Sequence, residues 1–247
     1  MTIKTLIIVP TYNEAGNITL LLDGLNTACP TAHVLFVDDS SQDGTLEEIA
    51  RHQKSFPERI HLLRRARKLG LGTAYIAGFK WALERDYDAI LEMDADLSHS
   101  PMDVPRLVAT LRDSDVAIGS RYVLGGGTQN WSLFRKAISR FGSFYGRAIL
   151  GMRVRDLTGG FNGWRRQVLE TIALDQIHSE GYSFQIELKY RAHGCGFSIK
   201  ELPILFVERR FGKSKMSSRI ILEAMVRVWV LAFTAHEKPT SLRKLSR

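Results

Sequence analysis

Asp94 and Asp96 are two carboxylates one residue apart that follow a short hydrophobic run and precede Leu97 and the polar residues 98–100. Alternate side chains of a strand face the same side, so both carboxylates can face one point. Like charges held that close repel unless a cation lies between them and a partner. Mg²⁺ prefers carboxylate oxygens and keeps phosphate oxygens and waters as its other ligands. The pair therefore suits a metal-bridged diphosphate site, although a solvated turn uses the same residue types.

The bulk composition narrows the class of protein. The chain has 247 residues, 45% of them hydrophobic, and a formal net charge of +8. We expect one domain, or one domain with an appendage. A basic surface attracts nucleic acid, anionic lipid or phosphorylated small molecules, and charge alone does not choose among them. Cys29 and Cys195 fit no metal or redox spacing, and we expect neither a signal peptide nor a membrane-spanning helix.

Strand-like and helix-like segments alternate over the first 120 residues. Strands are predicted near residues 3–9, 33–37, 59–63, 88–93 and 116–119. A helix is predicted after Asn13 as its N-cap, and further helices after Gly44, from Gly70 and from Pro101. This alternation predicts an α/β fold built on a single open, mostly parallel sheet with flanking helices.

Polar clusters occupy the predicted carboxyl ends of four strands, at residues 10–14, 38–41, 94–98 and 120–121. Ligands of open α/β sheets bind outside these strand ends. Four clusters at one edge favour a binding site over four ordinary loops. The sequence has neither a Gly-x-Gly-x-x-Gly after the first strand nor a Walker A loop, which disfavours a dinucleotide-binding or P-loop enzyme.

An ordered set of motifs resembles a known family. The motifs are Pro10-Thr11-Tyr12-Asn13-Glu14, residues 37–45 (VDDSSQDGT), 94–99 (DADLSH), 119–122 (GSRY), 156–161 (DLTGGF), 180–185 (EGYSFQ), 206–209 (FVER) and 212–216 (GKSKM). The first three resemble family 2 glycosyltransferases with the GT-A fold, and the whole set resembles their polyprenol (dolichol) monophosphate mannose synthases. The resemblance covers residues 3 to 230. It implies a catalytic domain over residues 1–215, followed over 216–247 by a C-terminal amphipathic helix and a basic tail close to a membrane.

The resemblance implies transfer of mannose from GDP-mannose to a polyprenyl (dolichyl) phosphate, with inversion and with Mg²⁺ or Mn²⁺. UDP-glucose or another sugar nucleotide is left open as the donor, and so is a non-catalytic sugar-nucleotide-binding role. A nucleic-acid partner is not expected, because no aromatic-plus-basic RNA-binding signature is present.

Site residues carry over from the matching motifs. The sugar nucleotide is expected at Pro10, Tyr12, Glu14, Val37, Asp39, Asp94, Ala95, Asp96, Arg121, Arg209 and Lys215. Asp94 and Asp96, with Ser98 in a weaker match, would hold the metal, and Asp94, Asp96 and Arg121 would act in catalysis. Arg210 and Lys213 are alternatives to the two cations of the 209–215 loop.

The acceptor side and the membrane contact complete the prediction. Asp156, Thr158, Gln185 and Glu187 are expected to shape the acceptor or sugar pocket. The acceptor phosphate is already an oxyanion, so no protein base is assigned. Residues 131–152 and 219–235 are candidate membrane-contacting helices, although the first is equally consistent with a helix packed on the core. The resemblance implies a peripheral protein on the cytoplasmic face of a membrane, and a membrane-anchoring protein partner is left open.

Overall fold

Seven strands form one central sheet in the computed structural model, which describes residues 3–177, 179–208 and 218–234. The strands of the chain are β1 (Thr5–Thr11), β2 (His33–Asp38), β3 (Ile60–Arg64), β4 (Ala89–Glu92), β5 (Val116–Ser120), β6 (Gly127–Gln129), β7 (Asn162–Arg165), β8 (Ile199–Pro203) and β9 (Leu205–Val207). The central order is β3-β2-β1-β4-β7-β5-β8. Only β7 runs antiparallel to its neighbours, so the predicted mostly parallel sheet is confirmed.

Helices cover both faces of this sheet. They are α1 (Ala15–Ala28), α2 (Thr45–Ser55), α3 (Leu71–Leu83), α4 (Val104–Thr110), α5 (Leu133–Leu150), α6 (Arg166–Thr171), α7 (Gly181–Gly194) and α8 (Ser218–Thr234), with short 3₁₀ turns at Pro101–Asp103 and Leu174–Gln176. β1 is buried on both faces, as its unbroken hydrophobic run predicts. α3 lies so close to it that a Cβ on Gly78 would stand 2.7 Å from Ile8 Cγ2.

The prediction of Asn13 as an N-cap is wrong. Its φ is 59°, in the left-handed region that asparagine tolerates, and α1 begins only at Ala15. The first N–H groups of α1 are instead satisfied from the loop after β2. Ala15 N donates to the Asp43 carboxylate at 3.2 Å, and Glu14 N donates to Thr45 Oγ1 at 2.8 Å. Side chains distant in sequence therefore begin this helix.

A cluster of rings lies near the amino-terminal ends of β2 and β3, away from the polar loops. His33 Nδ1 is 3.3 Å from His61 Nε2 and 3.1 Å from the Tyr87 hydroxyl. The Trp81 ring lies 5.0 Å from the His61 ring. Burial lowers the pKa of both imidazoles, and nearby basic side chains lower it further. Both rings therefore favour the neutral form in the folded protein.

This cluster predicts a loss of stability in mild acid. The unfolded chain takes up protons at these histidines near their ordinary pKa of about 6.5, whereas the folded imidazoles resist protonation. The free energy of unfolding should therefore decrease as the pH falls below about 6.5. Chemical denaturation across this range should show a shallower decrease for the His33→Asn/His61→Asn variant, and His193→Asn on the exposed part of α7 is the control. Equal slopes for all three proteins would contradict this account.

Candidate active site

The carboxyl ends of β1, β2 and β4 lie side by side because these strands are parallel neighbours. Backbone hydrogen bonds continue past the strand ends, from Asp39 N to Thr11 O at 3.1 Å and from Met93 N to Ile8 O at 3.1 Å. β5 points the same way on the far side of β7. The polar loops predicted from the sequence therefore share one edge of the sheet.

The loops after β1 and β2 are tied together by side chains. The buried Asp38 carboxylate accepts from Thr11 Oγ1 at 2.8 Å and from Ser41 Oγ at 2.6 Å. Asn13 N donates to Ser41 Oγ at 2.9 Å, and Asn13 Oδ1 accepts from Gln42 N at 2.9 Å. These hydrogen bonds hold both loops in one arrangement, which preorganises this edge for a ligand.

Asp39, the predicted base or ribose contact, is held by the loop after β3. Its carboxylate forms a buried ion pair with Arg65 and accepts from Leu69 N at 3.1 Å. Arg65 also donates to Thr73 Oγ1 at 2.8 Å and to Gly70 O at 3.0 Å. Arg65 was not predicted as a site residue, although a basic residue directly after a predicted strand was a usable signal.

The other residues predicted around the nucleotide differ in accessibility. The Tyr12 ring is 36% exposed, and the Lys68 ammonium lies 3.8 Å from its centroid. Pro10 and Glu14 are half-buried, and Glu14 Oε2 accepts from Asn17 Nδ2 at 2.7 Å. Val37 is fully buried in the core beneath the loops. Tyr12 is thus the predicted contact with the most accessible ring face.

Asp94 and Asp96 lie in the turn after β4, because the strand ends at Glu92. Strand alternation therefore does not orient them, contrary to the prediction. The turn passes through a left-handed Leu97 with φ of 60°. Ser98 N donates to Asp96 Oδ1 at 3.0 Å, and Ala95 is buried between the two carboxylates. The turn that carries both acids is therefore held by its own backbone.

Tyr75 on α3 supports this turn from below and was not predicted. Its buried hydroxyl donates to Asp94 Oδ1 at 3.3 Å. Burial raises the pKa of Tyr75 well above its ordinary value, and Asp94 raises it further. The hydroxyl therefore stays protonated and orients the Asp94 carboxylate.

The donor chemistry of this turn fits a hard divalent cation. Asp94 and Asp96 supply carboxylate oxygens, and Ser98 Oγ is buried with no partner among the described residues. Within residues 3–177, 179–208 and 218–234, no group of three or more His, Cys, Asp or Glu forms a complete cation site. Two carboxylates leave coordination positions for phosphate oxygens and waters, which is how Mg²⁺ and similar ions are held in phosphate-binding sites.

Next to Ser98, His99 is a buried part of the loop. Its ring stacks on Phe161 at 4.9 Å and meets Phe206 edge-on at 5.2 Å. Burial lowers the pKa of His99 to about 4, against the opposing effect of Asp96. The imidazole is therefore neutral near pH 7 and packs as a ring between Phe161 and Phe206.

Arg121, at the end of β5, forms a buried ion pair with Asp156. Nε and Nη2 donate to the two carboxylate oxygens at 2.7 and 2.6 Å, and Nη2 also donates to Thr158 Oγ1 at 2.9 Å. Burial alone would lower the pKa of Arg121, but the adjacent Asp156 raises it. Asp156 and Thr158, predicted as pocket residues, are thus partners of the predicted phosphate-binding arginine.

An apolar cavity of about 390 Å³ opens beside Arg121. Its polar end includes Arg121 and Thr158, and the rest of its wall comes mainly from α5, α7 and α8. The lining residues are Arg121, Trp131, Phe134, Ala137, Ile138, Ser139, Phe141, Gly142, Tyr145, Thr158, Tyr182, Ile186, Met225 and Val228. A wall that is mainly apolar and includes one guanidinium suits a ligand with an anionic head and a hydrocarbon chain.

Comparisons with known proteins identify the family. The family model described as glycosyl transferase family 2 matches residues 6–173. The chain belongs to glycosyl transferase family 2. Polyprenol monophosphomannose synthase of Mycolicibacterium smegmatis is 47% identical over 226 residues, which are 91% of this chain and 85% of that protein. Undecaprenyl-phosphate mannosyltransferase of Micrococcus luteus is 48% identical over 231 residues, 93% of this chain and 95% of that protein.

The fold is similar to that of a solved structure. The mannosyltransferase of Pyrobaculum calidifontis in complex with GDP-Man and Mn²⁺ superposes with a TM-score of 0.64 at 17% identity, and the match covers 98% of this chain and 67% of that one. The identity is low, so this likeness shows the GT-A glycosyltransferase fold alone. The predicted family, its polyprenol-phosphate mannose synthase type and the fold are thereby confirmed.

Two predicted pocket residues of this glycosyltransferase have buried partners. Gln185 donates to Glu92 at 2.9 Å and accepts from Asn162 at 2.8 Å. Glu187 accepts from Ser179 and from Arg191. If either residue contacted a sugar directly, it would have to replace one of these hydrogen bonds with one to the sugar. A direct sugar contact by Gln185 or Glu187 therefore stays a prediction. Arg209, Arg210, Lys213 and Lys215, the predicted cationic loop, lie outside the described residues.

The helix α5 of the glycosyltransferase is amphipathic, as residues 131–152 predicted. Phe134 is 76% exposed and Phe141 57% exposed, and both also line the cavity. α8 packs along α5, and Trp229 Nε1 donates to the Tyr145 hydroxyl at 2.8 Å. Among the described residues, no helix combines the length and hydropathy needed to cross a bilayer.

Tyr75→Phe should weaken metal binding by this glycosyltransferase without unfolding it. The variant loses the hydroxyl that orients Asp94 but keeps the ring that stacks on Phe184. Loss of such an outer hydrogen bond costs about tenfold in metal affinity or activity. Titration with Mn²⁺, followed by calorimetry and by activity, measures the change. Tyr190→Phe on α7 is the matched control, and equal Mn²⁺ affinity in both variants would contradict the orienting role.

Proposed function

We propose that this glycosyltransferase transfers mannose from GDP-mannose to a polyprenyl phosphate, inverting the anomeric centre. The observation that carries the proposal is the apolar cavity with Arg121 at its polar end, at the same sheet edge as the acidic turn. The two relatives near 47–48% identity, named for polyprenol and undecaprenyl-phosphate mannose chemistry, support the acceptor and the sugar.

The donor is assigned to the loops after β1, β2 and β4. The exposed Tyr12 face is available to stack on the base, and Asp39, held by Arg65, offers carboxylate oxygens to base or ribose donors. Asp94, Asp96 and Ser98 are the residues that would hold Mg²⁺ or Mn²⁺ near the diphosphate. Bound there, the cation would supply charge neutralisation to the departing nucleoside diphosphate.

The acceptor is assigned to Arg121 and the cavity. Arg121 offers a rigid guanidinium, and a phosphate matches that group in geometry and charge. The isoprenoid chain then follows the wall of α5 and α8 and buries apolar surface, at roughly 25 cal/mol per Å². Arg121 thus matches the phosphate of the acceptor, and the apolar wall of the cavity matches its isoprenoid chain.

The transfer needs no protein base, because the acceptor phosphate already carries the attacking oxyanion. One phosphate oxygen forms a bond to the anomeric carbon as the bond to the nucleoside diphosphate breaks. Attack from the face opposite the leaving group inverts the anomeric configuration. The protein contributes by orienting the two phosphate-bearing substrates and by screening their mutual repulsion.

We propose that the exposed hydrophobic face of α5 and α8 contacts the surface of a membrane. It consists of Leu133, Phe134, Phe141, Phe144, Val226, Trp229, Val230 and Phe233. Basic residues on α5, such as Lys136 and Arg140, are suited to anionic headgroups. A polyprenyl acceptor resides in the bilayer, so this face would bring the cavity to it. The proposal sets the protein on the cytoplasmic face, where sugar nucleotides are available, with or without an anchoring partner.

A donor panel tests the proposal. The purified protein is incubated with radiolabelled GDP-mannose, UDP-glucose or other sugar nucleotides, together with Mg²⁺ or Mn²⁺ and polyprenyl phosphate. Lipid-linked label from GDP-mannose alone is the expected result. Label from UDP-glucose instead would overturn the donor assignment, and no label from any donor would favour a sugar-nucleotide-binding role.

Asp96→Ala should abolish turnover in this assay, because it removes one of the two carboxylates available to the cation. Asp113→Ala, which alters an exposed aspartate after α4, should keep wild-type activity. Thermal unfolding of both variants controls for folding. Substantial turnover by folded Asp96→Ala would disprove the metal-bridged diphosphate site.

Phe134→Ser/Phe141→Ser should weaken attachment to membranes, because both exposed rings lie on the proposed membrane face. Co-sedimentation with anionic vesicles should decrease by about tenfold or more, since each ring buries a large apolar area at the interface. Leu20→Ser on α1, where Leu20 is 49% exposed, is the control and should bind as the wild type does. Equal binding by all three proteins would place the membrane contact elsewhere.

A further inference from the structure

Lys189 on α7 is a lysine with no exposed surface. Its ammonium donates to three backbone carbonyls of one loop, those of Asp156, Leu157 and Gly159, at 3.3, 3.1 and 2.7 Å. An ammonium has three donors, so the loop satisfies all of them. Burying a lysine is costly unless its charge is compensated, which indicates a specific role for it.

The loop around Lys189 is the one that holds Arg121. The Asp156 carboxylate accepts from the Arg121 side chain and from Arg121 N at 3.0 Å. The next hydroxyl along the loop, Thr158, accepts from Arg121 as well. Gly159 N closes the loop onto Asp156 Oδ1 at 3.0 Å. Any shift of this loop therefore moves the guanidinium.

Lys189 also changes the charge of the cluster. Asp156 compensates Arg121 completely when the two are considered alone, leaving no net charge for a bound phosphate. Lys189 adds a positive charge beside this pair, where the carboxylates of Glu92 and Glu201 also face it. Charge in such a buried setting acts through a lower effective dielectric than in water and so reaches further.

We infer that Lys189 is a positioning residue for the acceptor: it shapes the 156–159 loop around Arg121 and so orients the guanidinium toward a lipid phosphate. The inference rests on the proposed function, because it takes Arg121 as the acceptor ligand. Lys189 touches neither substrate and acts through the loop carbonyls and Arg121.

The surroundings of Lys189 make this role sensitive to pH. Burial lowers the pKa of Lys189 to about 8, against the opposing effect of Asp156 and Glu92. The charged groups that face it are Glu92 of β4, Arg121 after β5, Asp156 of the loop and Glu201 of β8. Lysine is charged below its pKa, so the positive charge is present at neutral pH and is lost as the pH rises through about 8.

Lys189→Met tests the role, because it keeps the length of the side chain and removes its charge and donors. We expect the KM for polyprenyl phosphate to rise by at least about tenfold, as for a misplaced substrate-binding group. The affinity for the sugar nucleotide, measured separately by calorimetry, should stay within about twofold, because the donor loops do not contact Lys189. Lys200→Met, at an exposed lysine of β8, is the matched control and should leave both values unchanged.

An unchanged acceptor KM in folded Lys189→Met would overturn the inference. A loss of sugar-nucleotide affinity as large as the rise in acceptor KM would also overturn it, because it would indicate general damage to the site. If the variant does not fold, the wild-type pH profile decides. A fall in kcat/KM for the acceptor near pH 8, with constant donor affinity, supports the role, and a flat profile from pH 7 to 9.5 overturns it. Ionisation of the acceptor phosphate does not imitate this fall, since its second pKa is about 6.

Failure of the proposed function gives a different result. In that case the wild-type protein transfers no sugar to any lipid phosphate. Hydrogen exchange then tests the loop directly: faster exchange at residues 156–160 in Lys189→Met than in Lys200→Met supports the positioning role. Equal exchange in both variants overturns it, whatever the substrate is.

Discussion

The proposed acceptor half of the site depends on the buried ion pair between Arg121 and Asp156. Both side chains are withdrawn from water, and removal of one partner from such a pair costs about 3–5 kcal/mol because the other charge is left uncompensated. The pair connects three separate parts of the chain: the end of β5, the 156–159 loop and, through Lys189, the helix α7. A guanidinium fixed this firmly can present its remaining surface to a phosphate without losing much conformational entropy on binding.

The donor half is held by a different kind of constraint, a set of neutral and charged hydrogen bonds between loops. Asp38 and Asn13 fasten the first two loops to each other, and Arg65 fastens the third to Asp39. The acidic turn is oriented by Tyr75 from the helix beneath it. Asp39 and Asp94 therefore each have a supporting residue on a neighbouring element, which is what a preorganised polar site requires.

Prediction from the sequence succeeded where the signal is local. The period and length of the hydrophobic runs located the strands of the parallel sheet, and the direction of those strands placed the predicted polar loops at one edge. It failed at Asn13, because the groups that begin α1 come from a loop about 30 residues away. It also missed Arg65, Tyr75 and Lys189. In the sequence each of these is an ordinary residue of a strand end or a helix. Only the tertiary structure brings it into contact with a predicted site residue or its loop.

The sequence by itself determined the class of fold and the sheet edge at which Asp94, Asp96 and Arg121 lie, because these follow from residue order and strand direction. Tertiary structure decided how the side chains of Asp94 and Asp96 are oriented. They lie beyond the strand, in a turn shaped by a left-handed Leu97, so the backbone of that turn orients them rather than the alternation of a strand. It also decided that Arg121, directly after β5, is paired with Asp156, and that an apolar cavity begins beside it. Such contacts join residues far apart in the chain. Local sequence patterns do not predict which distant residue a side chain contacts.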